Sequence, residues 1–164
     1  MKKILLVLVT LLGFVAVSSA QSKSLGLRFG AFDSEISYEH YAKGADFMEF
    51  ELGAHYRYGY AGFRATGIYN WMIAQPNWTR RGEWGFYGGI GGSLGAVPYE
   101  QDDDHYVHSF YAAFVAQIGL EYTFWFPLQL AFDMRPAIGL VGGHFSTSYL
   151  GEGFVPTLSV RYSF

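Results

Sequence analysis

From Leu25 to Phe164, apolar and polar side chains alternate with a period of two almost without interruption. Such a pattern predicts strands with two unlike faces, and turn signals divide it into eight runs. The first, from Leu25 to Gly30, sets Leu25, Leu27 and Phe29 against Arg28. The second, Glu35 to Tyr41, sets Ile36, Tyr38 and His40 against Glu35, Ser37 and Glu39. In the third, Phe47 to Tyr56, the apolar Met48, Phe50, Leu52 and Ala54 alternate with Glu49, Glu51, Gly53 and His55. The fourth ends near Ile73 and carries Phe63, Ala65, Tyr69 and Trp71 opposite Arg64, Thr66 and Asn70. Trp84 to Val97 forms the fifth, with Trp84, Phe86, Ile90 and Leu94 opposite Gly85, Gly89, Gly91, Ser93 and Gly95. The sixth, Ser109 to Phe124, opposes Phe110, Phe114, Ile118, Leu120, Tyr122 and Phe124 to Ser109, Gln117, Glu121 and Thr123. The seventh starts at Leu128 and alternates Leu130, Phe132 and Met134 with Asp133 and Arg135. The last, Phe154 to Phe164, places Leu158, Val160, Tyr162 and Phe164 on one face and Ser159, Arg161 and Ser163 on the other. Its length suits a tilted strand crossing a bilayer, about 9–11 residues. Polar or glycine-rich loops are expected at 31–34, 57–60, 98–107 and 142–153. No helical period follows residue 21, and one domain is expected.

Alternation alone does not say which face lies inside. Side-chain size decides it. One face is built from Phe, Trp, Tyr, Leu and Ile; the other is Gly, Ser, Ala and Thr with a few charges. The second set makes a poor solvated surface but a good filling for a narrow lumen, so the large residues are expected to face lipid. The inward charges are then Arg28, Arg64, Arg135 and Arg161 with Glu35, Glu39, Glu49, Glu51, Glu121 and Asp133. Buried charges are tolerable when they are interleaved and paired. Hairpin register predicts Arg28 beside the strand of Glu35 and Glu39, Arg64 beside Glu51, and Arg161 diagonal to Asp133. Trp71, Trp84, Tyr122, Phe124, Trp125, Tyr162 and Phe164 gather at strand ends on one rim, as rings at headgroup level do.

Composition sharpens this picture. Charged residues are 15% and aromatic residues 20% of the chain, against about 25% charged in ordinary globular proteins. There is no cysteine, hence no disulfide framework. Lys2 and Lys3, the apolar Ile4–Val17 and the small Ser18-Ser19-Ala20 predict a signal peptide over 1–20, cleaved ahead of a 21–164 barrel. Without Lys2 and Lys3 the chain has 9 basic and 14 acidic residues, a formal charge of −5, which speaks against a nucleic-acid partner.

The terminal strand, with its alternating apolar residues and final Phe164, resembles that of bacterial outer-membrane β-barrels. With the signal sequence and the repeated hairpins, nearly the whole of 21–164 resembles the small OmpA/OmpX-type, porin-like barrels. The resemblance implies an all-β fold, an eight-stranded antiparallel up-and-down transmembrane barrel in the bacterial outer membrane. It implies Phe164 as the signal for the barrel-assembly machinery, outer-membrane lipid and lipopolysaccharide as surroundings, and a monomer. A structural or surface-interaction role without catalysis, cofactor or metal is expected, the lumen being plugged by polar side chains.

Two candidate chemistries compete with that role. His144 and Ser146 lie two apart, with Glu152 further on, and this H-x-S pair resembles the arrangement in outer-membrane lipid A deacylases. There the His would take the Ser proton, the carboxylate would orient the His and the hydroxyl would attack an ester. Alternation places His144 and Ser146 on the face of Leu140 and Phe132. The second candidate is Asp102-Asp103-Asp104 with His105 and His108, a loop able to attract a divalent cation but read as solvated. Gly88-Gly89-Ile90-Gly91-Gly92 lacks the Lys-Ser/Thr of a phosphate loop; its glycines are expected to admit opposing side chains. Arg80-Arg81 is read as a solvated turn. A soluble periplasmic ligand-binding barrel remains a third architecture with the same alternation.

Overall fold

A computed structural model describes residues 23–57, 59–102 and 105–164. The expected signal sequence at 1–20 lies outside the described residues, as do Asp103 and Asp104. The chain is a closed eight-stranded antiparallel barrel in which each strand pairs with its sequence neighbour. Its strands are β1 (Lys23–Phe29), β2 (Asp33–Lys43), β3 (Asp46–Arg57), β4 (Tyr60–Ala74), β5 (Glu83–Asp102), β6 (His105–Thr123), β7 (Gln129–Met134), β8 (Ala137–Val141), β9 (His144–Ser146) and β10 (Thr157–Ser163). β7 and β8 are two pieces of one barrel strand, since both pair with β6, and β9 and β10 are two pieces of the last, β9 pairing with β8 and β10 with β7, which leaves eight. β10 closes the ring on β1, with Leu25 opposite Tyr162 and Phe29 opposite Leu158. Lys23 and Phe164 exchange both backbone hydrogen bonds, at 3.0 and 2.8 Å, so the start of β1 and the end of the closing strand meet at one rim, called here the terminal rim.

Three boundaries differ from the pattern-based expectation. The β5–β6 hairpin runs on through 98–102 and 105–107, where a polar loop was expected, because its cross-strand pairing continues to Asp102 opposite His105. Pro98 has no N–H to give to the β4 carbonyl in its row, that of Ala61; the His108 ring, directly opposite Pro98, reaches across and donates Nε2–H at 2.9 Å. Alternation cannot see that repair, and the proline looked like a strand end. The stretch 142–153 is also more ordered than a loop: it folds back as β9 and then as one short helix, α1 (Ser148–Gly153). Six residues are too few to show a helical period. The closing strand starts at Thr157, so Phe154 and Pro156 precede it.

Sidedness is uniform around the ring. Ile36, Phe63, Leu94, Phe114 and Phe132 are each more than half exposed, while Arg28, Glu35, Glu39, Glu49 and Arg161 are each at most 2% exposed. The barrel is therefore apolar outside and ionic inside, the reverse of a water-soluble protein. Burial of the big side chains needs a partner that is not water, and none of the strands supplies one.

Candidate functional site

The interior is the candidate site. It is built by rows of residues that face each other across neighbouring strands. One row runs Arg28, Glu35, Gly53, Arg64 and Gly95 across β1 to β5. Gly53 matters there, because a Cβ at that point would stand 2.2 Å from the Ser34 carbonyl oxygen and crowd Glu35. With no side chain in the way, Arg64 passes over β3 and bonds Asp33 at 2.7 Å and Glu35 at 3.3 Å. The expected neighbour Glu51 is not its partner.

Arg28 binds Glu35 and Asp133, each at 2.9 Å, with Glu51 at 3.6 Å. Arg135 is ion-paired with Glu51 and lies 3.4 Å from Glu49. Arg161 is ion-paired with Glu49, lies 2.9 Å from Glu39 and donates to the Ser37 hydroxyl. It does not take Asp133, which Arg28 occupies; Arg161 stands opposite Gln129 in the sheet and projects toward the β2–β3 side. Glu49 is the hub, also accepting from Gln117 at 2.9 Å and Asn70 at 3.3 Å. Glu121 stands apart toward the terminal rim, accepting from Gln129 at 2.9 Å and the Tyr41 hydroxyl at 3.5 Å. The ten charges picked out by alternation are thus all placed inside, each with named partners.

Alternation put His55 on the polar face of its run but left it out of the charge set, and Asp33 and Arg57 fell in the expected loops. Asp33, His55 and Arg57 continue the inward faces of β2 and β3, and counting by twos from Glu35 and Glu51 would have reached them. Their chemistry is joined by α1. Its Glu152 lies 3.1 Å from Arg57 and 3.6 Å from His55, whose other nitrogen lies 2.8 Å from Asp33. Burial pushes the Glu152 carboxyl above its ordinary range, and the nearby Arg57 pulls the other way. The helix is seated by the Arg135 N–H donating to the Gly153 carbonyl at 2.7 Å. Only glycine fits at 153, since a Cβ would meet the Arg135 carbonyl oxygen at 2.1 Å.

This seating dismantles the expected His-Ser-carboxylate set. β9 pairs His144 with Val141, Phe145 with Leu140 and Ser146 with Gly139. Directly opposed residues share a face, so His144 and Ser146 lie on the side of buried Val141 and not on that of Leu140. The Gly142-Gly143 turn, with both φ angles positive, shifts the parity that straight alternation assumes. Glu152 meanwhile serves Arg57 and His55. Of the cation candidates, His108 is committed to Ala61, and among the described residues no group of three His, Cys, Asp or Glu is placed to hold a metal.

Against the charged arc stands a neutral one. β5 presents Gly85, Gly89, Gly91, Ser93 and Gly95 inward, and these admit their neighbours' side chains. A Cβ at Gly89 would stand 2.1 Å from Asn70 Oδ1, and one at Gly119 2.4 Å from the Tyr87 ring. Toward the far rim this arc is apolar, with Ile68, Val97, Tyr111, Val115 and Val141 packed together. A vestibule of about 380 Å³, lined by Tyr41, Glu83, Gly85 and Glu121, opens at the terminal rim. Among Arg28, Arg64, Arg135 and Thr157 the void is about 20 Å³, room for roughly one water.

At the terminal rim the aromatic residues form a connected band. Trp84 and Tyr122 have centroids 4.7 Å apart, Tyr122 and Phe124 4.6 Å, and Phe124 and Trp125 6.1 Å. Trp71 packs on Tyr69 and Tyr162 on Phe164. Trp78 and Phe126 extend the band from the connecting turns, where no strand pattern pointed to them.

The fold and interior define a class: a closed eight-stranded antiparallel β-barrel, apolar without and filled by ion pairs within. Among solved structures, the N-terminal β-barrel domain of Pseudomonas aeruginosa OprF is similar to it, with a TM-score of 0.63 over 88% of this chain and 96% of that one. Identity is 12%, so the likeness is one of fold. The sequence matches no protein-family model and no curated protein.

Proposed function

We propose that the protein is an integral barrel of the bacterial outer membrane, held by lipid around its strands, with a structural or surface-interaction role and no catalysis. One observation carries this: large apolar side chains cover the outside while ten charged residues are sealed within. In water that arrangement exposes the surface that should be buried; in a bilayer that cost vanishes, and the buried charges are offset by their pairing. The fold likeness to the OprF barrel domain supports it. The terminal rim, with its aromatic band, then faces the periplasm. The taller β5–β6 hairpin and α1 face outside and offer the surface for interaction. Lys2, Lys3 and the apolar run after them supply export, and Phe164 the mark for barrel assembly.

A soluble ligand-binding barrel would need an open interior and a polar coat, and an esterase would need Glu152 at His144. Neither arrangement is present among the described residues. Fractionation tests the reading. The protein is expected in outer-membrane detergent extracts, migrating faster on gels before boiling than after. Release with the periplasmic fluid by osmotic shock would refute it.

A further inference from the structure

We propose that the connection between β4 and β5 is a binding site for the phosphate of an anionic phospholipid in the periplasmic leaflet, an inference that rests on the membrane reading above. On the strands, exposed rings are explained by the bilayer core. Trp78 and Trp125 belong to the aromatic band at the terminal rim. They lie beyond the strand ends, in the turns 75–82 and 124–128, and are 66% and 63% exposed. They flank two adjacent cations, Arg80 and Arg81. The described ion pairs belong to Arg28, His55, Arg57, Arg64, Arg135 and Arg161, and so leave these two out.

The turn is preorganised. Arg81 is held by its own carbonyl, which accepts from the Tyr122 hydroxyl at 2.6 Å and from Thr79 Oγ1 at 2.9 Å. Gly82 follows with φ of 74°, a left-handed position suited to glycine. The Arg81 guanidinium lies 5.8 Å over the Trp125 ring, and Trp78 packs tilted against Trp84, centroids 5.4 Å apart. One positive group is therefore fixed, with a second beside it in the chain, at the depth where rings mark the headgroup layer, on a chain whose overall charge is negative. Guanidinium suits phosphate oxygens, which it can bridge with two parallel N–H bonds. The complementary partner at that depth is a lipid phosphate with net negative charge.

The test uses the full mature chain folded in detergent, titrated with phosphatidylglycerol or with phosphatidylcholine and read by native mass spectrometry. Wild type is expected to retain phosphatidylglycerol over phosphatidylcholine. A basic residue near an anionic surface contributes about five-fold in affinity, so Arg80→Gln with Arg81→Gln should lose roughly 25-fold. Arg80→Lys with Arg81→Lys, which keeps the charge but not the two-pronged geometry, should restore only part of it. Equal retention of the two lipids by wild type, or a double Gln variant that binds like wild type, overturns the inference alone. A chain that never shows the boiling-dependent gel shift overturns both this and the membrane reading.

Discussion

The two arcs of the lumen solve one problem by opposite means. On β1, β2, β3, β7 and β10 the interior is filled by long charged side chains whose partners come from across the barrel. On β5, apart from Tyr87 and Val97, the inward positions from 85 to 97 are Gly or Ser, and the glycines let Asn70 and the backbones of neighbouring strands close in. The charged arc owes its stability to completeness, because each ion removed leaves others unpaired in a place water does not reach. The glycine arc owes it to absence, because each atom added has nowhere to go. They should therefore fail differently.

Glu49→Leu should show the largest effect, since it strips Arg161, Arg135, Asn70 and Gln117 of a shared acceptor. Loss of one partner in a buried pair costs about 3–5 kcal/mol, read as a shift in urea unfolding in detergent. An unchanged midpoint would show the ionic filling to be dispensable. Gly89→Val should come next, at about 1–3 kcal/mol from overpacking against Asn70. If the second arc is governed by space, Asn70→Gly should recover only part of the Gly89→Val loss, because a Cβ at 89 also stands 2.6 Å from the Tyr69 carbonyl oxygen.

The latch of α1 is weaker, being partly exposed, and Glu152→Gln should cost at most about 1 kcal/mol globally. Its signature is in pH. A carboxyl whose folded value is raised binds its proton more tightly when docked. Its contribution is therefore complete below the unfolded value of about 4.3 and is lost as pH rises through the folded value. Protease cleavage within 148–153 should accordingly slow as the wild type is acidified, and the Gln variant should lack that step. Ser146→Ala should have the smallest effect, none on the acyl composition of lipid A in expressing cells. A Ser146-dependent loss of one acyl mass would make the protein an enzyme after all.

Much of this was legible along the chain because period-two alternation needs no knowledge of neighbours. Arg28, Glu49, Asp133 and Arg161 could be assigned inward from their own strands, and Phe63 or Phe132 outward. Pairing was not legible. Arg28 meets Asp133 across 105 positions and Arg161 meets Glu49 across 112. Which of several carboxylates an arginine reaches depends on register and on gaps such as Gly53. Turns were the other blind spot: the Gly142-Gly143 reversal moved His144 and Ser146 to the opposite face, and a six-residue helix brought Glu152 to Arg57.

By itself, then, the sequence determined the strands, their two faces and the inversion of apolar and charged surfaces, since these follow from local order and side-chain size. Only the tertiary structure decided how the ring closes on Phe164, which ions pair, and where α1 seats, because each of these depends on the shape of the barrel between residues far apart in the chain.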